Sequence, residues 1–343
     1  MKTFILILIC TALFASEKIA RSIKTDSSKP LHTLFNINNI HGWISYNGQL
    51  GHNPYTGGSG IYYPASIATT VYTEGLLWAG WVRDGNNPEL RSGSMQYRIS
   101  TQAGAILPDG TVQNADNEEV RVYRIRRDWR SISNNELTDV AIELYNIKSE
   151  NITPGILNKI REQYERDWYE WPAELGAPYY DLNGNSIYEP DLGEEPGLAE
   201  ADQVIWLVVN DLDSILTEKN GGSPPIGLEI QITLWAYKNT IYPFEQTVFQ
   251  RYRLINKSGS TIDSMYVGKW SDPDIGNYGD EFAGCDTTLN LSFAYNSGAI
   301  DNEYITFGIP PPAIGYAHLQ GPYVPATGQT ALFDFKTIDG CRN

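Results

Sequence analysis

Histidine and cysteine are scarce in this chain of 343 residues. There are four histidines (His32, His41, His52, His318) and three cysteines (Cys10, Cys285, Cys341). No pair of histidines has the HExxH or another zinc spacing, which argues against a zinc hydrolase. Thiol catalysis needs a neighbouring histidine, and Cys285 has none close in sequence. There is no G-x-S-x-G elbow and no glycine-rich phosphate loop after a strand. Cations are also in short supply. Lys plus Arg number 25 against 41 Asp plus Glu, for a net charge of −16. Nucleic-acid partners need clustered cations, and so does attachment to anionic lipid, so both are excluded as expectations. Beyond the first 20 residues, apolar runs reach roughly six residues, against roughly 20 for a spanning helix, so no membrane span is expected in the mature chain.

The N-terminus does carry a signal. Lys2 is followed by the apolar run Phe4–Ala15, then by Ser16 and the polar pair Glu17 and Lys18. Charge, apolar core and small residue in that order describe a secretory signal peptide, assigned to residues 1–20. Ile9 stands where a lipobox needs a small residue, so Cys10 is not read as a lipidation site. Residues 21–40 read as a linker. Removal of the leader leaves Cys285 and Cys341, and sequence cannot say whether they pair.

The rest reads as all-β: antiparallel, sandwich-like and jelly-roll-like, with one amphipathic helix and long acidic loops. Residues 41–145 form an N-terminal β region of short apolar runs broken by Asn47–Gly48, Asp84–Gly85 and Pro108–Gly110. Residues 146–343 carry the helix, the acidic loop and a C-terminal β-sandwich region, and the two regions can form one continuous domain. The helix spans 153–169. Thr153 is its N-cap, Pro154 its first residue, and Ile156, Ile160, Tyr164 and Trp168 its apolar stripe. Arg161/Glu165 and Glu162/Arg166 are its opposite-charge pairs. Val204–Val209 has the look of a core strand. Residues 228–238 alternate with a period of two, and Phe244–Ile255 is the antiparallel partner. A further strand covers 287–295, and 308–328 reads as a loop. Trp168, Trp171, Trp206 and Trp235 are expected in the core, although a few exposed in a row would stack on sugar rings. Arg121, Arg124, Arg126, Arg127 and Arg130 are expected on an exposed strand facing the acidic loops.

The acids are concentrated. From Glu170 to Asp213 there are 11 of them and no Lys or Arg. Within that span, Asp181, Asn183, Asn185 and Glu189 occupy relative positions 1, 3, 5 and 9, and Ile187 offers a carbonyl at position 7. Such spacing turns oxygens toward one centre and suits calcium, and it resembles EF-hand and dockerin loops. The match is partial. Gly184 sits at position 4, Ser186 where the turn glycine belongs, and Leu192 where the bidentate Glu belongs, so Asp191 would have to serve. A plain Asx-rich turn is the competing reading. A second candidate calcium cluster is Asp272, Asp274, Asp280 and Glu281, with Asp286 beyond, the alternatives being a polar surface loop or a glycosidase carboxylate pair.

A series of short motifs adds a resemblance. It comprises Gly75–Trp78, Ser94–Arg98, Asp181–Asp191, Glu195–Gly197, Ala201–Gln203, Val209–Asp211, Pro225–Glu229, Leu254–Ser258, Trp270–Gly276 and Gly284–Asp286. Their order resembles large exported proteins of the Bacteroidetes and Ignavibacteria lineage, over most of the chain from about residue 40. Such proteins continue into further β modules and a C-terminal type IX sorting domain, which this sequence does not show. The resemblance implies a secreted or cell-surface location and transfers no catalytic residues. The expectation is therefore a secreted, calcium-stabilised β-sandwich protein acting as a cell-surface binding or structural module. The alternatives are a carbohydrate-binding protein or glycoside hydrolase, and a subunit of an extracellular surface assembly. The partner would be an extracellular polysaccharide or another surface protein.

Overall fold

Gln203–Asn210 is buried at every position, and Leu228–Ala236 at all but one. A strand buried on both faces needs a layer on each side, and the fold supplies both. The computed structural model describes residues 29–198, 200–238, 242–333 and 336–342. The expected signal peptide therefore lies outside the described residues.

In chain order the first strands are β1 (His32–Phe35), β2 (His41–Ser45), β3 (Ile61–Tyr62), β4 (Thr69–Val82), β5 (Leu90–Ser94), β6 (Gln102–Ala103) and β7 (Tyr123–Arg126). Helices α1 (Asn134–Tyr145) and α2 (Pro154–Tyr169) follow. Then come β8 (Gln203–Asn210), β9 (Leu228–Ala236), β10 (Phe249–Asn256) and β11 (Ile262–Pro273). The last are β12 (Glu281–Asp286), β13 (Leu291–Asn296), β14 (Ala313–Ala317), β15 (Val324–Phe333) and β16 (Lys336–Arg342).

One sheet runs β1-β2-β3-β4-β11, with β5 also on β4. The second runs β10-β9-β8-β6, with β7 also on β8. Every described pairing is antiparallel. Between the sheets lies one apolar layer: Ile44, Val71, Leu76, Trp78 and Val82 meet Ile205, Leu207, Val209, Ile230, Ile232 and Leu234. Each such side chain contributes about 1.5–3 kcal/mol by leaving water. The other face of β8, with Val204, Trp206 and Val208, is covered by Leu137, Ile160, Tyr164 and Trp168 of the two helices. The architecture is an antiparallel β-sandwich with a helical layer on one side.

α2 begins as its sequence dictates: the Ile156 N–H donates to Thr153 Oγ1, and Pro154 takes the first turn. Its ion pairs differ from the sequence expectation. Arg161 reaches the Ile132 carbonyl and Asn134, while Arg166 pairs with Glu118 and Glu170 at 3.0 and 2.9 Å. Four further expectations need correction. The last twelve residues of the 41–145 region form α1, capped by Ser133 through the Glu136 N–H. The linker assigned to 21–40 contains β1, which is held because Leu34 and Phe35 are buried. Residues 308–328 include β14 and the start of β15. Arg121, Arg124 and Arg126 are buried rather than exposed, because α2 packs over β7 and supplies Asp167 as acceptor. The two regions divided at residue 145 share both sheets, since β6 and β7 pair with β8, and β4 with β11. Among the described residues no helix is long and apolar enough to cross a membrane.

Asp167 ties α2 to β7. Its carboxylate accepts from Arg121 Nε at 3.0 Å, from the Arg124 N–H at 2.9 Å and from Gln163 Nε2 at 2.9 Å. Asp167→Ala leaves a buried guanidinium short of its acceptor and should lower unfolding free energy by about 3–5 kcal/mol. A shift of the urea midpoint at unchanged slope measures this, with exposed Glu165→Ala as a control within about 0.5 kcal/mol.

Candidate functional site

The 181–194 turn is tied together by its own acids. Asp181 accepts from the Gly184 and Ser186 N–H groups at 2.7 and 2.9 Å. Asn183 accepts from the Asn185 N–H, and Asn185 from the Ile187 N–H. Both amides then donate to one oxygen of Glu189, at 2.9 and 2.7 Å. Buried Glu194, which the sequence reading passed over, closes the turn by accepting from the Leu182 and Glu189 N–H groups at 3.0 and 2.8 Å. Gly184 and Ser186 both have positive φ, +74° and +61°, so the backbone bends twice where the expected loop bends. Tyr188 anchors the turn on α2 by donating to the Trp168 carbonyl.

Asn183, Asn185 and Glu189 are thus brought together, with Asp181 in the same turn. Ile187 and Asp191 are exposed, Asp191 on a separate helical turn over Pro190–Leu192. Among the described residues no three His, Cys, Asp or Glu side chains group as a metal cluster. Both oxygens of Asp181 and the amide oxygens of Asn183 and Asn185 each accept a backbone N–H of the turn, and Glu189 takes both amide N–H donors on one oxygen. The acidic stretch is also less bare than its sequence implies. Arg121 reaches Glu170, Arg127 reaches Glu195, and buried Asp211 accepts from the Ile226, Gly227 and Leu228 N–H groups.

The second cluster lies where β11 leads into β12. Asp272 accepts from Tyr97 Oη at 2.9 Å, and Asp274 from Ser59 Oγ at 2.8 Å. Glu281 accepts from the Ile275 N–H. Asp280 accepts from Ser297 Oγ, while its Oδ1 is buried without a partner. Burial, then the nearby Asp272 charge, raises the Asp274 carboxyl above its ordinary value. Burial, then Asp274 and Asp280, raises Glu281 likewise. These four acids act on one another. Asp286 does not join them: it sits at the far end of β12, five residues or about 17 Å along the strand from Glu281. There it closes the turn to β13 by accepting from the Thr288 and Leu289 N–H groups. Cys285 and Cys341 are free thiols.

Three other groupings gave no sequence signal, because their members are far apart in the chain. Buried Glu74 accepts from Gln250 Nε2 and pairs with Lys269 at 3.1 Å, and Lys269 also reaches Gln250 Oε1 and Tyr252. Tyr316 of β14 hydrogen-bonds Ser271 alongside. This network is closed on itself and locks β4, β10, β11 and β14 together. His41 Nδ1 meets Glu143 at 2.7 Å and Ser66 Oγ at 3.0 Å. A serine–histidine–acid relay needs the two partners on opposite ring nitrogens, so this arrangement is a clasp between β2 and α1. The third grouping is an aromatic row. His52, Tyr72, Tyr97 and Trp270 follow one another with centroid separations of 5.4, 6.1 and 4.8 Å, and Tyr97 holds Asp272.

Comparison with protein-family models, with curated proteins and with solved structures finds no match for this chain.

The raised Asp274 carboxyl has a definite pH signature. Its favourable contribution is present below the ordinary value of 3.8 and is lost as pH rises through the raised folded-state value. Asp274→Asn should therefore raise the thermal midpoint at pH 7 and leave it unraised below pH 3.8. Melting curves across that range decide; a midpoint lowered equally at both ends shows that the carboxylate is needed as such.

Proposed function

We propose that the protein is a secreted β-sandwich module that takes calcium at the 181–189 turn and serves in binding or scaffolding at the cell surface. The observation that supports the calcium reading is that one turn gathers Asn183, Asn185 and Glu189 beside Asp181; the two amides reach Glu189 through their N–H groups, and an ion there would require each amide to turn over and present its oxygen. Asp181, Asn183, Asn185 and Glu189 are the side chains that hold the ion, with the Ile187 carbonyl beside them. The Glu194 carboxylate supports them from below through two backbone N–H groups. Calcium supplies positive charge in an acidic stretch and fixes the turn, so its binding free energy adds to folding. The secreted location rests on the leader at 1–20 and on the resemblance to exported proteins.

The test is thermal unfolding of the mature chain in EDTA and in millimolar calcium. Saturation at about 100 times the dissociation constant contributes about 2.7 kcal/mol. For a chain of this length that is a rise of about 5 °C in midpoint. Asp181→Ala should abolish the rise, and an unchanged wild-type midpoint removes calcium from the reading.

A further inference from the structure

We propose that the outward face of the β4–β11 sheet, where Tyr72, Tyr97 and Trp270 stand beside Asp272 and Asp274, binds uncharged saccharide chains. This goes beyond the calcium reading and does not depend on it, since the 181–194 turn packs on α2 at the other side of the second sheet.

Strand geometry puts these groups on one face. Lys269 lies opposite Leu76, a core residue, and its ammonium is turned to buried Glu74. The next residue, Trp270, lies opposite Gly75 and points the other way. Val71 and Leu76 are both in the core although five positions separate them, which period-two alternation forbids without an extra residue. The pairing shows that residue: Asp272 is opposite Thr73 and Pro273 opposite Val71, so Tyr72 is a bulge. The bulge re-aims the Tyr72 ring toward Tyr97.

The chemistry of the face selects a ligand. Tyr97 is 59% exposed, and its hydroxyl is held by Asp272 at 2.9 Å. A ring fixed in this way loses little freedom on binding. Aromatic faces take up the C–H faces of sugar rings, and polar tips beside them fix orientation. Asp272 and Asp274 each use Oδ2 internally. Among the described residues neither Oδ1 has a donor, so each is an acceptor open to a hydroxyl. Among the described residues no Lys or Arg pairs with these carboxylates, and the Lys269 ammonium is taken by Glu74, so uronic and sulfated chains are repelled. A quaternary amine would need rings closed around one point. These rings run in a line, with Tyr97 and Trp270 set at 74°.

Calorimetric titration of the full mature chain with neutral gluco-, xylo- and mannohexaoses, a uronate hexaose and choline tests this, in calcium and again in EDTA. The expected result is binding of at least one neutral hexaose and of neither charged ligand. Tyr97→Ala and Trp270→Ala should each weaken it about tenfold, or about 1.4 kcal/mol, and Asp272→Asn should weaken it less. An unchanged melting curve for Tyr97→Ala shows that the loss is not misfolding. Three results overturn the proposal: no neutral hexaose bound at millimolar concentration, equal binding by wild type and Tyr97→Ala, or binding of choline alone. Failure of calcium to raise the melting midpoint leaves this outcome untouched.

Discussion

The two-sided burial of β8 and β9 governs the rest of the molecule. Strands buried on both faces need a cover on each side, so a second sheet closes one side and helices the other, and the polar face of β9 (Glu229, Gln231, Thr233) is buried as well. The chain meets this by sending its first strands to one sheet and folding α1 and α2 against the other. The order of elements follows from it. β6 and β7 must return to β8 from the N-terminal half, and β11 must return to β4 from the C-terminal half. Neither half can complete its sheet alone.

That constraint also explains the placement of charge. Covering β7 with α2 buries Arg121, Arg124 and Arg126, and buried guanidinium groups require acceptors. Asp167 and Glu170 meet Arg121, while Asp128 meets Arg126. Part of the acidity that looks unbalanced along the chain is thus balanced across the fold. The 181–194 turn stands apart: its acids are answered mainly by N–H groups of its own loop.

Much of the architecture was legible. Periodicity found β8, β9 and α2, because each has a long apolar pattern, and β10 followed as the partner of β9 across a turn. α1 was missed because its buried stripe is only Leu137, Val140 and Ala141, although Ser133 and Glu136 form a recognisable cap. The linker and loop assignments failed where short strands are held by partners distant in sequence, as β1 is by β2 and β14 by β13. For the site, spacing grouped Asp181, Asn183, Asn185 and Glu189 but could not find Glu194, whose role depends on the chain folding back. Spacing also placed Asp286 with the second cluster. An extended strand carries it away, since closeness in sequence within a strand means separation in space. The aromatic row was foreseen only in kind. Tyr72, Tyr97 and Trp270 come from three segments, and no local pattern links them.

The residue of β4 left unmatched against β11, Tyr72, has a structural meaning of its own. On either side of Tyr72 the strand keeps opposite parity, so one continuous segment obeys two incompatible reading frames for inside and outside. Removing that residue would shift the parity of Thr69–Val71 against the rest of the strand, exchanging interior for exterior at its start. The insertion therefore acts as a phase shifter, letting the interior keep its aliphatic register while the exterior is free to vary its ring chemistry.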